Sequence, residues 1–202
     1  MGIIKRRWIW LKRFRHRCGY GVHSPFAFGF LTGVVYERGE YYAYRGLACR
    51  HFPGAFRRAG HAAGCCKFLF RLANYVHPSV IRICGEADEA VCDYLQAGCL
   101  SARLVRAGLP CGGRLPAETS PADELLYVAA DVPPAGWTTC VDSVTTERSV
   151  CLLCGIHASA AALQQWERAK RHPRVSVSFD LYDYGILFFD SSKQNQHYIV
   201  NF

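Results

Sequence analysis

Two histidines and one cysteine pair are the side chains here whose type and spacing suit chemistry. His157 precedes a segment with helical periodicity, and His23 precedes another. The unperturbed pKa of imidazole lies near neutrality, so each is a candidate catalytic base, the alternative being that it caps its helix or bonds backbone. Cys151 and Cys154 have the spacing of a zinc or redox pair. Because strand alternation would send these two thiols to opposite faces, we interpret the pair as buried packing residues, with Cys154 at the end of its strand.

Other familiar catalytic signatures do not occur in the sequence. It has no phosphate-binding P-loop, no Gly-x-Ser-x-Gly elbow, no His-Glu-x-x-His and no zinc-finger spacing. Kinase, serine-hydrolase and metalloprotease chemistry therefore has no motif to support it. The chain has 202 residues with 11 cysteines, an odd number that indicates reduced thiols and predicts a cytoplasmic protein. No apolar run reaches the roughly 18 residues that a membrane-spanning helix needs.

The elements that would position these residues alternate between strand and helix. This alternation predicts an α/β fold with a mainly parallel sheet, ending in an antiparallel hairpin. We predict one α/β domain over residues 65–202 and a basic, aromatic, helical extension over residues 1–64. Helices are predicted at 25–37, 66–76, 88–97 and 159–171. Strands are predicted at 80–84, 102–105, 124–130, 149–154, 175–181, 184–189 and 197–202. Ser24 and Ser159 are predicted as N-caps of the first and last helices, and Asp180 and Asp183 as residues that bond local backbone at the hairpin turn.

Charge divides the chain into a basic part and an acidic part. Residues 1–82 hold 15 basic and 2 acidic side chains, a balance of +13, whereas residues 83–202 hold 9 basic and 14 acidic ones, a balance of −5. Residues 3–17 combine seven basic side chains with Ile4, Trp8 and Leu11 at helical spacing, a stripe that Trp10 and Phe14 extend. Such an arm can bind an anionic membrane surface, a nucleic acid or the acidic part of its own chain. The first alternative predicts a protein peripheral to the inner face of the membrane.

A set of short motifs resembles a known family. Gly19-Tyr-Gly-Val-His-Ser-Pro-Phe26, Phe68-Leu-Phe-Arg-Leu-Ala-Asn-Tyr75, Gly155-Ile-His157 and Gln196-His-Tyr-Ile199 occur in this order. The set resembles a Bacteroidetes-type family of class I S-adenosylmethionine-dependent methyltransferase-like proteins. The resemblance implies a Rossmann-like seven-stranded sheet. It also implies S-adenosylmethionine as the cofactor, bound beyond the carboxyl ends of the strands.

The sequence departs from that family where the cofactor would bind. The loop after the first strand keeps only Gly85 of its glycines and continues with Glu86. The second strand ends without an acid, and Asp131 follows the strand at 124–130 one or two residues late. The strand at 149–154 ends in Cys154, where paired acids would be typical, so no carboxylate metal site is visible. These departures indicate a degenerate cofactor site.

Two functions of different classes follow from this pattern. The first is methyl transfer to an unidentified acceptor, with Gly85, Glu86, Asp131 and Cys154 around the cofactor and His157 or His23 beside the acceptor. The second is a catalytically inactive binding protein whose basic arm contacts an anionic surface. The enzyme predicts an open crevice with Glu86 pointing inward. The binding protein predicts a crevice filled by residues 86–92 or 106–121.

Overall fold

A seven-stranded mixed sheet organises the described part of the chain. The computed structural model describes residues 8, 11, 13, 14, 22–53, 60–107 and 122–202. The strands are β1 (Val80–Cys84), β2 (Arg103–Ala107), β3 (Glu124–Val128), β4 (Val150–Cys154), β5 (Val177–Asp180), β6 (Tyr184–Phe188) and β7 (Gln196–Ile199). The helices are α1 (Pro25–Phe30), α2 (Tyr44–His51), α3 (Gly60–Val76), α4 (Glu89–Gly98), α5 (Trp137–Asp142) and α6 (Ala160–Lys170).

The spatial order of the strands is β2-β1-β3-β4-β6-β5-β7. Neighbours pair in parallel from β2 to β4, and β6 is antiparallel to both β4 and β5. The predicted fold class and the predicted terminal hairpin are thus confirmed. The last strand, β7, pairs with β5 in parallel. As a consequence, β1, β2, β3, β4 and β5 all end at one edge, termed here the carboxyl edge.

Both faces of the sheet are covered by apolar side chains. One cluster joins α1, α3 and α4 to one face, and a second joins α5 and α6 to the other. Cys154 belongs to the first cluster and Cys151 to the second, which confirms the predicted alternation. Trp166 of α6 lies over Gly185, where an added Cβ would be 2.5 Å from the indole ring. The absence of a side chain at Gly185 therefore lets α6 approach the sheet closely.

Local capping chemistry sets several of the helix ends. Ser24 accepts a hydrogen bond from the Ala27 N–H at 3.3 Å, and Ser159 accepts one from the Ala162 N–H at 3.0 Å. Both serines were predicted as caps, because a hydroxyl oxygen satisfies an N–H that the first helical turn leaves unpaired. After α1 the chain continues as a π-helical turn, Leu31–Val35. No helix among the described residues is long and apolar enough to cross a membrane.

Two helices were not predicted from the sequence. The first, α2, lies in a Gly-, Arg- and Tyr-rich stretch, and α5 follows a Pro- and Gly-rich break. Tyr44 of α2 is buried among Phe70 and Tyr94, so this aromatic cluster packs residues of the extension against α3 and α4. The division of the chain at residues 64 and 65 stays a prediction; α3 begins before it, at Gly60.

A buried ion pair joins the adjacent strands β1 and β3. Arg82 of β1 places its Nη2 2.7 Å from Oε2 of Glu124 on β3, and both side chains are at most 6% exposed. The same Nη2 donates to the Ser143 hydroxyl at 2.9 Å. The Arg82 Nε finds no hydrogen-bond partner within the described part of the chain. This pair lies inside the second apolar cluster, at the end of β3 opposite the carboxyl edge.

Candidate functional site

The carboxyl edge brings together several of the predicted site residues. Sheet order reverses at β1, which has β2 on one side and β3 on the other. In open α/β sheets, a crevice for ligands forms at such a point, outside the carboxyl ends of the strands. Gly85 follows β1 and Asp131 follows β3, so these two predicted cofactor residues meet at this crevice.

Asp131 crosses the crevice to the loop after β1. The backbone N–H of Glu86 lies 3.0 Å from each oxygen of the Asp131 carboxylate. Gly85 has φ of +85°, and an added Cβ would lie 2.5 Å from Oδ1 of Asp131 and 2.6 Å from Cγ2 of Val132. A glycine is therefore needed at this position, both for the left-handed backbone and for the close approach of Asp131.

Acidic side chains surround the crevice. The side chains of Glu86, Asp88 and Asp131 are exposed, and the inward orientation expected of Glu86 stays a prediction. Asp131, which reaches across the crevice, belongs to neither set of residues that was expected to fill it. The residues after β2 that were expected to fill it, 108–121, lie outside the described residues. Arg106 of β2 donates to the Cys92 thiol at 3.3 Å.

His157 lies at the same edge, in the loop that follows β4. Gly155, with φ of +74°, turns the chain after β4, and its N–H donates to the Asp183 carbonyl at 2.7 Å. The imidazole Nε2 lies 2.8 Å from Oδ2 of Asp180, the last residue of β5. His157 therefore neither caps α6 nor bonds backbone through this nitrogen, but forms a pair with a carboxylate.

Arg13 completes this cluster from the N-terminal segment. Its Nη1 and Nη2 donate to the two Asp180 oxygens at 2.8 and 3.1 Å, a bidentate ion pair. Nη1 also lies 3.2 Å from the Asp180 carbonyl and 3.4 Å from the Val200 carbonyl. Nη2 is 3.0 Å from Nε2 of His157. We term Arg13, His157, Asp180 and Tyr182 the arginine–histidine cluster.

The charges of this cluster assign its protons. Burial opposes ionisation of Asp180, but hydrogen bonds from His157 and Arg13 outweigh it and lower the pKa of Asp180 to about 2. The two partners of His157 Nε2 make opposite demands: the ionised carboxylate of Asp180 needs a proton on this nitrogen, whereas the guanidinium of Arg13, which only donates, lies 3.0 Å from it. In the tautomer that donates to Asp180, the second ring nitrogen, Nδ1, is the one with a lone pair. A carboxylate that fixes the tautomer of a histidine in this way is the arrangement of an oriented general base.

Tyr182 forms one wall of the cluster. Its ring stacks on the His157 imidazole with a centroid distance of 4.8 Å and an interplanar angle of 3°. The Arg13 guanidinium lies 5.1 Å from the centroid of the same ring. Tyr182 has φ of +74°, a conformation costly for a side chain that is not glycine, and its N–H donates to Oδ1 of Asp180 at 2.8 Å. Ring stacking and this hydrogen bond therefore hold the hairpin turn in a strained backbone conformation.

His23 lies elsewhere. It lines a cavity of about 500 Å³ together with Val177 and Gln196, the first residues of β5 and β7. Asp180 is at the other end of β5, so His23 and His157 lie at opposite edges of the sheet. The expectation that both histidines line one cleft is wrong, because the N-terminal part of α1 packs against the amino ends of these strands.

Cys154 is buried below the carboxyl edge. It is 6% exposed and belongs to the first apolar cluster. Burial raises the pKa of its thiol to about 12, although a hydrogen bond with Tyr127 acts in the opposite direction. The structure therefore places a protonated thiol in the core. Its role as a cofactor contact stays a prediction without a contact to support it.

The sequence analysis missed three members of the cluster. It assigned Asp180 to a turn, and that bond exists, but the carboxylate also binds Arg13 and His157. Arg13 appeared only as one of seven basic arm residues, and Tyr182 was not considered. The sequence carried one usable signal for Asp180: this residue is an acid near the end of a predicted strand, where parallel strands present polar groups. No group of three or more His, Cys, Asp or Glu side chains that suits a metal ion occurs in the described ranges.

Comparison with known proteins identifies the architecture. No protein-family model matches this sequence, and no curated protein matches it significantly. A solved structure, the SAH-bound methyltransferase PaMTH1 from Podospora anserina, superposes with a TM-score of 0.52 at 12% identity, over 76% of this chain and 90% of that one. The O-methyltransferase TomG from Streptomyces achromogenes, solved with SAM, gives 0.48 at 18% identity over 74% and 89%.

The chain has a class I methyltransferase fold. The likeness to PaMTH1 carries this statement, together with the predominantly parallel sheet and its antiparallel hairpin. At 12% identity the likeness extends to the fold alone. In this fold, the crevice at Gly85 and Asp131 and the arginine–histidine cluster share the edge at which the parallel strands end.

Proposed function

We propose that this protein is an S-adenosylmethionine-dependent methyltransferase in which His157 removes the proton of the acceptor. The observation that carries the proposal is the placement of two features on one sheet edge. These are the Gly85–Asp131 crevice at the reversal of strand order and the His157–Asp180 pair at the carboxyl ends of β4 and β5. The acceptor is a molecule with an ionisable nucleophile. The motif set further supports a divergent member of the Bacteroidetes-type family.

The side chains at the crevice suit this cofactor electrostatically. S-adenosylmethionine carries a sulfonium, an ammonium and a carboxylate, so it has one net positive charge. Glu86, Asp88 and Asp131 present three exposed acids beside Gly85. A carboxylate offers about four acceptor positions, so Asp131 can accept further hydrogen bonds beyond that from the Glu86 N–H. When bound, the cofactor supplies an electrophilic methyl group on sulfur.

The acceptor would meet the arginine–histidine cluster. Asp180 holds His157 in the tautomer with a free Nδ1, and stacking on Tyr182 fixes the plane of the imidazole. In this orientation Nδ1 can accept the proton of a hydroxyl as the nucleophile attacks. General bases of this kind contribute about 10²- to 10⁴-fold to rate.

Calorimetric titration with S-adenosylmethionine and S-adenosylhomocysteine tests the proposal. We expect micromolar binding of both ligands to the full chain. Asp131→Asn and Glu86→Ala should each weaken S-adenosylmethionine about tenfold, because each loss of a nearby charge is worth about 1.4 kcal/mol. The matched control is Asp123→Asn, beside the amino end of β3, which should bind as the parent does. No binding by a folded sample up to millimolar ligand overturns the proposal.

A binding protein without catalysis is the second candidate, and one observation favours it. The guanidinium of Arg13 is bonded to Asp180 and is within 3.0 Å of His157, so a cation of the same chain lies against the proposed base. Such a site would keep the fold and lose access to an acceptor. Cofactor binding without methyl transfer to any acceptor, unchanged in Arg13→Ala, would support this second function.

A further inference from the structure

The N-terminal segment presents one inward side chain and three outward apolar ones. Arg13 is 13% exposed and faces Asp180. Trp8, Leu11 and Phe14 are 58%, 66% and 54% exposed. These three residues, which follow one another at intervals of three, are termed the outward apolar residues. Their exposure contrasts with the core, where nearly all large apolar side chains of the sheet are buried.

We propose that this segment docks on an anionic phospholipid bilayer, with the outward apolar residues in the interface. Aromatic and leucine side chains insert at the boundary between headgroups and acyl chains, and adjacent basic residues bind anionic headgroups. In the sequence, six basic residues besides Arg13 lie within the first 17 positions, and the first acid is Glu37. The charge and the exposed apolar surface are therefore complementary to the same partner.

A bilayer fits these residues better than a nucleic acid does. Basic side chains bind phosphates of either partner. Bases of single strands stack on aromatic rings, which Trp8 and Phe14 would provide. Leu11 is the most exposed of the three and has no ring for stacking. A hydrocarbon environment accommodates all three side chains equally.

The anchor of this segment determines which part of the molecule would face the membrane. Arg13 connects the segment to Asp180 and to the carbonyl of Val200. Phe14 is the next residue, so the outward apolar residues lie beside the arginine–histidine cluster. If the proposed methyl transfer is correct, on which this step rests, the acceptor is an amphipathic molecule that reaches His157 from the bilayer.

Vesicle flotation of the full chain tests the docking surface. The probes are vesicles of phosphatidylcholine alone and of phosphatidylcholine mixed with phosphatidylglycerol. We expect binding to the mixed vesicles that weakens as salt is raised. The triple variant Trp8→Ser, Leu11→Ser, Phe14→Ser should lower the partition coefficient at least about tenfold, since it removes all three apolar side chains that would leave water on docking. The control is Tyr42→Ser, Leu100→Ser, which removes two other exposed apolar side chains.

The outcomes separate the partners. Equal binding to neutral vesicles, or an unchanged partition of the triple variant, overturns the proposal. Salt-sensitive binding to an oligonucleotide without vesicle binding overturns it in favour of a nucleic acid. The triple variant should titrate S-adenosylmethionine as the parent does, so loss of docking and loss of cofactor binding are measured separately.

The acceptor class has its own measurement. The full chain is incubated with methyl-labelled S-adenosylmethionine and either a total lipid extract or the water-soluble fraction of the same cells. Label in the lipid extract, abolished by His157→Gln, supports an amphipathic acceptor. Label only in the water-soluble fraction overturns that assignment while leaving the vesicle result intact.

Discussion

Arg13 and Asp180 lie 167 positions apart in the sequence and form a bidentate ion pair at 2.8 and 3.1 Å. The carboxylate also accepts from His157, so one acid organises the cation, the imidazole and the hairpin turn. This ion pair accounts for one basic residue of the arm, because Asp180 neutralises the charge of Arg13 within the chain. It also places the N-terminal segment beside the residues proposed for catalysis.

The first prediction concerns acid stability. The pKa of Asp180 is about 2 in the folded protein, below its ordinary value of 3.8, so the folded state binds fewer protons there than the unfolded state. The stabilisation is complete above about pH 4 and is lost as pH falls toward about 2, with a magnitude of about 2 kcal/mol. Urea unfolding of the parent and Asp180→Asn between pH 6 and 2 measures it. Asp142→Asn is the control, since its carboxylate is 59% exposed; a parent with the same pH dependence as Asp180→Asn would contradict the assignment.

The second prediction concerns the coupling of Arg13 to Asp180. A double-mutant cycle with Arg13→Ala and Asp180→Asn should give a coupling free energy of about 1–3 kcal/mol, because both side chains are largely shielded from water. Arg13→Lys should recover only part of it, since an ammonium cannot make the two parallel hydrogen bonds. Chemical denaturation at pH 7 provides the free energies. The exposed pair of Arg50 and Asp93 is the comparison and should couple by less than about 1 kcal/mol.

The third prediction concerns the crevice. Gly85→Ala introduces a Cβ 2.5 Å from Asp131 Oδ1 and a left-handed alanine, so we expect a loss of about 1–3 kcal/mol in the free energy of unfolding. The double variant Gly85→Ala, Asp131→Ala should recover less than half of this loss, because Val132 and the backbone strain remain. Gly46→Ala, in α2 with open space around it, is the control and should not destabilise. Full recovery in the double variant would show that the glycine serves only the contact with Asp131.

The fourth prediction concerns the buried pair of Arg82 and Glu124. Burial raises the pKa of Glu124, against the influence of Arg82. Arg82→Met leaves this acid without its partner and should cost about 3–5 kcal/mol. Arg82→Met, Glu124→Met should be near the parent in stability, since the pair is surrounded by apolar side chains and the Arg82 Nε has no hydrogen bond in the described part of the chain. Equal destabilisation by the single and double variants, measured in urea, would contradict this account.

The fifth prediction concerns thiol reactivity. Among the described cysteines, Cys49 is exposed and the other eight are buried. Burial raises the pKa values of Cys66 and Cys154 to about 12, so their reactive thiolates are scarce at pH 8. Pulse labelling with a maleimide and peptide mass spectrometry should find Cys49 modified first and these two only after denaturation. Rapid labelling of Cys154 in the folded protein would instead place it at an accessible cleft.

Strand and helix positions followed from the sequence because they depend on local patterns. Short apolar runs and, at 175–181, apolar alternation predicted all seven strands within a few residues, and the two-residue period of a strand placed Cys151 and Cys154 on opposite faces. Serine caps located the starts of α1 and α6. Gly85 and Asp131 were predicted to follow the ends of two strands. The carboxyl ends of parallel strands lie at the same edge of a sheet, so both residues were expected at that edge. The two missed helices lack strong local signals. In α2, tertiary packing of aromatic residues such as Tyr44 stabilises the helix instead.

The contacts of the site were decided by the tertiary structure. Periodicity tells which face of an element a residue occupies, but not which side chain from 144 or 167 positions away will reach it. For that reason Asp180 was assigned only its local turn bond, and His23 was placed at the wrong edge of the sheet. The sequence by itself determined the elements, their faces and the strand ends that carry polar groups. Chain topology alone brought Arg13, His157 and Asp180 together, because ion pairs at this distance depend on where loops return and not on local spacing.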